Sequence, residues 1–316
     1  MKRLLFAAIA AAGFALPAFA QPSALTIMAP AGPGGGWDQT ARSMQQALQE
    51  EGIVSSVQVI NVPGAGGTVG LAQFVNDSRG SAENLIVGGY VMVGAIIANK
   101  SPVSLADVTP IARLTGEYEA VVVPASSDIQ TMGDLVEKLK ADPGSVSWAG
   151  GSAGGVDHIL VGQIAEAAGV DPTKINYIPY SGGGEALAAI LGGQVTAGVS
   201  GTGEWQGQIQ SGELRLLAVS SGERLAGFDA PTLKESGLDV ETQNWRMVSA
   251  PPDVSDEDKA TLVATVEKMV DSAAWKGILE QKGWENTFLA GADFEAYLQG
   301  QVEQTTAVLK GLGIAQ

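Results

Sequence analysis

Met28-Ala-Pro-Ala-Gly-Pro-Gly-Gly-Gly-Trp-Asp-Gln-Thr40 joins two kinds of sequence. Before it, Leu25 to Met28 is an apolar run of strand type. After it, Trp37, Ala41, Met44 and Leu48 recur at the spacing of one helix face. A strand, a glycine-rich turn and a helix start leave several backbone N–H groups unpaired and pointing one way, which suits an anion. The glycines let that anion approach the backbone with no Cβ between them. The stretch reads as a loop that grips a carboxylate or phosphate.

Working outward, the same grammar repeats. Strands are expected at Ala24–Met28, Val57–Asn61, Leu85–Gly88, Val121–Val123, Val146–Ala149, Ile175–Ile178, Ala197–Ser200 and Leu214–Val219. Helical stretches such as Trp37–Glu50, Met132–Lys140, Val156–Ala168 and Gly184–Leu191 lie between them. This alternation predicts an α/β fold with largely parallel sheets. Chain breaks fall near Pro124–Asp128 and Asn244–Pro252. They divide the chain into one domain of residues 21–122 plus 246–316 and a second of residues 123–245. Beyond the second break Leu262, Val266, Met269, Val270 and Ala273 share a helix face, so the tail is expected to pack back on the first domain.

Residues 1–20 read as a cleaved signal peptide. Lys2 and Arg3 form the basic start, Leu4 to Leu16 the apolar core, and Ala18-Phe19-Ala20 the cleavage pattern. The core is short for a membrane span; an uncleaved anchor is the alternative. An exported chain without cysteine needs a large core, and 296 residues can supply one. A periplasmic location fits both features. Without Lys2 and Arg3, 16 basic residues face 34 acidic ones, a net charge of −18. Such a surface repels nucleic acid and anionic lipid. An anion held by the first loop must therefore be attracted by local dipoles against the overall field.

Enzymatic signatures are sparse. Gly150-Gly-Ser-Ala-Gly154 matches the nucleophile-elbow pattern, with Ser152 as nucleophile. The only histidine, His158, is six residues on, about 120° round a helix, whereas such hydrolases place their base far downstream. A secreted serine hydrolase is thus the rival of another class. Gly64-Ala-Gly-Gly-Thr-Val-Gly70 lacks the last glycine of a dinucleotide fingerprint, and no Gly-Lys-Ser/Thr phosphate loop occurs. One histidine and no cysteine leave little for a transition metal, so neither a metal nor a cofactor is expected. Five glycine-rich turns remain: Gly32–Gly36, Gly64–Gly67, Gly150–Gly155, Gly182–Gly184 and Gly201–Gly203. Each follows an expected strand, the edge where open α/β sheets bind ligands.

Several of these stretches carry a family resemblance. Pro33-Gly-Gly-Gly-Trp-Asp38, Asn61-Val-Pro-Gly-Ala-Gly-Gly-Thr68, Tyr177-Ile-Pro-Tyr-Ser-Gly-Gly-Gly-Glu-Ala-Leu187, Leu191-Gly-Gly-Gln-Val195, Leu214-Arg-Leu-Leu-Ala-Val-Ser220 and Pro231-Thr-Leu-Lys-Glu-Ser-Gly237 resemble the substrate receptors of tripartite tricarboxylate transporters, the Bug family. The resemblance covers nearly all of the chain after the leader. It implies a two-domain periplasmic-binding-protein fold, type II-like, with a hinge and an interdomain cleft. It implies a non-enzymatic, monomeric receptor that holds a small carboxylate and delivers it to membrane permease subunits. The full run before Asp38, together with Asn244-Trp-Arg246, is similar to the citrate-type branch.

On this reading Gly34, Gly35, Gly36 and Trp37 contact the ligand from the first domain. Asp38 caps N–H groups or orients a ligand hydroxyl through water, and Thr68 donates from the second loop. Ser152, Ala153, Gly154 and His158 meet the other end of the ligand, with Tyr180, Ser181 and Ser200 as further candidates. Arg246 either grips a third carboxylate bidentately or forms a surface or hinge ion pair. An aromatic or amino-acid carboxylate is the alternative ligand.

Overall fold

The strand entering the first glycine turn is buried on both faces: Leu25, Ile27, Met28 and Ala29 are each at most 4% exposed. A strand of that kind needs helices over both faces of its sheet, and it has them. The structure, a computed structural model, describes residues 22–180 and 183–315; the expected signal peptide and Ser181 lie outside them. The elements are β1 (Ala24–Ala29), α1 (Gly36–Glu50), β2 (Ser56–Asn61), α2 (Thr68–Asp77), β3 (Asn84–Gly89), α3 (Tyr90–Ala98) and β4 (Thr109–Pro124). There follow α4 (Met132–Ala141), β5 (Ser147–Gly150), α5 (Val156–Ala167), β6 (Asn176–Pro179), α6 (Gly183–Leu191), β7 (Ala197–Gly201), α7 (Thr202–Gln210) and β8 (Leu214–Val219). The chain closes with β9 (Gln243–Ala250), α8 (Asp256–Asp271), α9 (Ala273–Lys282), β10 (Glu285–Ala290) and α10 (Gly291–Gly311).

Two sheet sections share β4. The first runs β2-β1-β3-β9-β4 with β10 beside β4; the second runs β4-β7-β5-β6 with β8 beside β4. The hand-over falls within β4. Thr109 to Tyr118 pairs with β9, and Glu119 to Pro124 pairs with β7 and β8. The chain thus changes sheets at Tyr118–Glu119, a few residues before the 122/123 boundary expected from the sequence. We call the two sections, with their helices, the first and second lobes.

The sheets are mixed, where largely parallel ones were expected. β1 pairs parallel with β2 and β3, and β5 with β6 and β7. Every pairing made by β4 or β9 is antiparallel. Neither the length of β4 nor the existence of β9 and β10 was expected. The chain enters the second lobe along β4 and returns along β9, so these two strands run in opposite directions.

Ala41, Met44 and Leu48 of α1 have no exposed surface and pack with Ile27, Val248 and the tail helices. Leu262, Val266, Met269 and Val270 of α8 join that core, as expected, but Ala273 does not. Ser272 ends α8 and accepts the N–H of Trp275, starting α9 there. On the other face α10 packs with α2 and α3 around Phe74, Met92 and Phe294.

Candidate ligand-binding site

The glycine turns follow the carboxyl ends of β1, β2, β5 and β7 and open on one cleft of about 1070 Å³. First-lobe residues lining it include Gly34, Gly35, Gly36, Trp37 and Gly64–Gly67; second-lobe residues include Gly151, Ser152, Ala153, Gly155, Ser200, Gly201 and Gly203. Arg246 on β9 lies between the two groups.

The helix starts at this cleft share one property. α1, α2, α5 and α7 have glycine at the N-cap (Gly35, Gly67, Gly155 and Gly201), and no side chain caps any of them. Away from the cleft lining, Thr131, Ser255 and Ser272 cap α4, α8 and α9 in the usual way, while α3, at Gly89, and α10, at Ala290, start without a side-chain cap. Uncapped first-turn N–H groups carry the positive end of the helix dipole, so four such ends around one cleft make it attractive to anions.

Side chains behind the first loop set its shape. Gly34 adopts φ +84°, a conformation glycine takes at little cost, and its N–H donates to Asp38 Oδ2 at 2.8 Å. Asp38 is 2% exposed and also accepts from Arg42 Nε and Asn61 Nδ2, both at 2.9 Å. Burial opposes its ionisation, but the bonds from Arg42, Gly34 and Asn61 outweigh burial and hold its pKa below the usual carboxylate value. Asp38 therefore braces the loop from behind. Thr68 likewise turns inward, its hydroxyl donating to Ala65 O at 3.0 Å.

The second loop is braced in a parallel manner. Gly151 N–H donates to Asp157, Tyr177 Oη donates to Gly151 O at 2.8 Å, and Gly154 N–H donates to His158 Nδ1 at 3.2 Å. His158 lies flat on Tyr177, ring centroids 4.1 Å apart. Burial lowers its pKa to about 4, so it is neutral near pH 7. With its acceptor nitrogen engaged and its ring stacked, His158 is not paired with Ser152; among the described residues no hydrogen bond joins them.

Of the residues singled out in the sequence, Gly34, Gly35, Gly36, Trp37, Ser152, Ala153, Ser200 and Arg246 line the cleft. Asp38, Thr68, Gly154, His158 and Tyr180 are not among the lining residues. Tyr180 holds its strand end instead, its N–H donating to Gly150 O at 2.9 Å. The sequence reading passed over Asp157, Glu204 and Trp205, which line the cleft, and Glu117, which reaches Arg246. Acids at the second and third positions of glycine-capped helices were the available signal for Asp157 and Glu204.

Arg246 and Glu117 form an ion pair with each side chain only 4% exposed. The guanidinium also sits 4.7 Å from the Trp284 ring centroid, and a Cβ on Gly36 would stand 2.7 Å from its Nη2. Its Nη1 is buried with no hydrogen-bond partner. A smaller chamber of about 180 Å³ opens beside the pair, lined also by Gln39, Gln206, Gln281 and Lys282.

Two α/β lobes share a long strand, with a cleft between them lined by glycine turns and helix starts. The chain belongs to the tripartite tricarboxylate transporter receptor family: the profile described as "Tripartite tricarboxylate transporter family receptor" matches residues 40–314. It is 30% identical over 267 residues to the UPF0065 protein in the gbd 5' region of Cupriavidus necator, covering 82% of this chain and 79% of that one. It is 26% identical over 313 residues to protein BugT of Bordetella pertussis, covering 96% and 95%. Among solved structures, Rpa4515 of R. palustris with adipate superposes with a TM-score of 0.81 at 22% identity, over 92% of this chain and 98% of that one. MatC of Rhodopseudomonas palustris with bound malate gives 0.74 at 21%, over 95% and 100%. At such identities the likeness is one of fold. The protein is a solute-binding receptor and not an enzyme; receptors of this family are periplasmic.

Proposed function

We propose that this receptor captures a small di- or tricarboxylate, citrate-like in class, and hands it to the membrane permease subunits of a tripartite tricarboxylate transporter. The observation that carries this reading is the contrast in helix capping. Four glycine-capped helix starts face the cleft, while three of the five other helices whose N-cap is described, α4, α8 and α9 but not α3 or α10, are capped by their own side chains. Anions at helix starts gain about 0.3–1 kcal/mol each, and up to about 2 kcal/mol where partly buried. Several such ends in a low-dielectric cleft can offset a distant surface charge screened over about 10 Å. Arg246, with Nη1 unused, supports a third carboxylate; adipate and malate in the related folds support the coarser class.

In this reading residues 1–20 are removed on export and the protein works as a periplasmic monomer. Residues 21–122 with 246–316 form one closing body and residues 123–245 the other, hinged where β4 passes between sheets and where the chain returns into β9. A thermal-shift screen tests the ligand class. Citrate, malate, succinate and adipate should include at least one that raises the melting temperature, since ligand at a hundredfold over Kd adds about 2.7 kcal/mol. Neutral sugars and nucleotides should not. Stabilisation by a sugar and by no carboxylate overturns the reading.

A further inference from the structure

Cations are unevenly placed behind the two loops. Under the first loop Asp38 meets Arg42 at 2.9 Å. Under the second loop Asp157, Glu119 and Glu204 have no salt-bridge partner among the described residues, and the nearest guanidinium, Arg246, is engaged by Glu117. Glu119 on β4 has no exposed surface, and its carboxyl oxygens meet no N–H or hydroxyl donor; the acid beside it is Asp157. An ionised carboxylate there would cost several kcal/mol. Burial first, then the charges of Asp157, Glu117 and Glu204, push its pKa well up, so it holds its proton.

Asp157 belongs both to this group and to the cleft. It is 8% exposed, lines the cleft and accepts the Gly151 N–H. The titratable groups facing it are Glu117 and Glu119 from β4, Glu204 from α7 and Tyr177 from β6, while Arg246 from β9 acts on Glu119 and Glu204. His158, its neighbour on α5, is uncharged near neutrality, as is Tyr177, whose pKa burial raises further. Burial pushes Asp157 up to about 7; Glu204 and Glu117 add to the rise, and the Gly151 N–H and the protonated Glu119 carboxyl oppose it.

An anion in the second loop would face this carboxylate. A ligand ammonium could relieve the repulsion, but it would face the uncapped starts of α5 and α7, which disfavour a cation. A proton satisfies both, because it removes the negative charge and leaves the helix ends to the anion. Arg246, 3% exposed in the same cleft with its Nη1 unpartnered, is a further donor for an anion.

Resting on the carboxylate-receptor reading, we propose that capture of an ionised carboxylate here takes up one proton from water onto the Glu119–Asp157 pair, with Asp157 as the residue that sets the pH range of binding. The ligand stays ionised and the proton settles on an Asp157 oxygen. No histidine confuses the measurement near neutrality, because the chain has only His158.

The test is calorimetry of the full mature chain with malate, adipate and citrate, between about pH 6.5 and 8.5, in two buffers of different ionisation enthalpy. For malate and adipate, uptake should approach one proton per ligand on the alkaline side, with affinity falling about tenfold per pH unit. Asp157→Asn keeps an acceptor for the Gly151 N–H and should bind with no proton uptake and a flat pH profile. The buffer comparison on the wild-type protein stands by itself if the variant does not fold. Zero proton uptake with intact binding overturns the proposal and leaves the receptor reading standing, as does uptake that persists in Asp157→Asn. Aspartate binding far tighter than malate without proton uptake also overturns it, since the second lobe would then take an ammonium. Failure of all three acids to bind at any pH overturns both readings.

Discussion

Arg246 on β9 and Glu117 on β4 form an ion pair with each side chain only 4% exposed, beside the point where β4 passes from one sheet to the other. Gly36 of the first lobe and Gly201 of the second leave no room for a side chain beside the pair: a Cβ on Gly36 would stand 2.7 Å from the guanidinium, and one on Gly201 within 3.1 Å of the carboxylate. The pair is thus touched by both lobes. Desolvation makes such a pair a poor source of net stability, yet removing one partner strands the other charge.

Arg246→Met should therefore lower stability by about 3–5 kcal/mol, and adding Glu117→Gln should restore much of it. Urea unfolding of the two single variants and the double variant forms the cycle. Additive losses would show that the charges do not depend on one another.

Arg246→Lys separates tricarboxylate from dicarboxylate binding. Lysine keeps the charge but loses the planar fork that sets Nη2 on Glu117 and leaves Nη1 for a ligand. Citrate should lose about 1–3 kcal/mol more than succinate, measured by calorimetry. Equal losses would assign Arg246 to lobe closure; no loss for either would remove it from binding.

Gly35→Asp tests the uncapped start of α1. Gly35 has φ −69° and ψ 164°, an ordinary N-cap conformation open to any residue, and a Cβ there would meet Gly32 O at 3.3 Å. The new carboxylate would satisfy first-turn N–H groups and occupy the anion position. Carboxylate affinity should fall at least about tenfold, an order set by one charge-assisted hydrogen bond, while the fold persists. Unchanged affinity in the folded variant would place the ligand away from α1.

His158 should make the fold acid-sensitive. Its folded pKa, about 4, lies below the unfolded value of 6.5. Between those values the unfolded chain binds a proton that the folded chain excludes. The contribution is therefore complete above about pH 6.5 and is lost as pH falls toward 4. Asp157 runs the other way: its folded pKa is raised, so its contribution is present below about 3.8 and fades as pH rises through about 7. His158→Gln should thus lose less stability than the wild type between pH 6.5 and 4, by roughly 1–3 kcal/mol. Parallel melting curves for the two proteins would refute this.

The local parts of the fold were legible. A spacing of three and then four residues through Ala41, Met44 and Leu48 marked the buried face of α1, and the glycine runs after β1, β2, β5 and β7 marked turns that open on the cleft. β9 was not legible. Gln243-Asn-Trp-Arg-Met-Val-Ser-Ala250 carries a charge mid-run, beside two prolines, and reads as a boundary. It is a buried strand because Glu117 receives Arg246 and because β3 and β4 flank it on both edges.

The positions of the candidate side chains divide in the same way. Gly35, Gly36 and Trp37 reach the cleft through backbone geometry that the sequence prescribes within a few residues. Asp38 and His158, by contrast, turn away toward Arg42, Asn61 and Tyr177. By itself the sequence determined the local strand, glycine-turn and helix units around the first, third and later loops, because propensity, periodicity and capping act over one or two turns of chain. Only the tertiary structure decided that β4 and β9 run antiparallel between the lobes, that Arg246 meets Glu117, and that Glu119 is buried with Asp157 beside it. Those outcomes depend on burial and on partners 38 to 129 residues away, which set the charge of an acid or a base and leave no trace in its immediate neighbours.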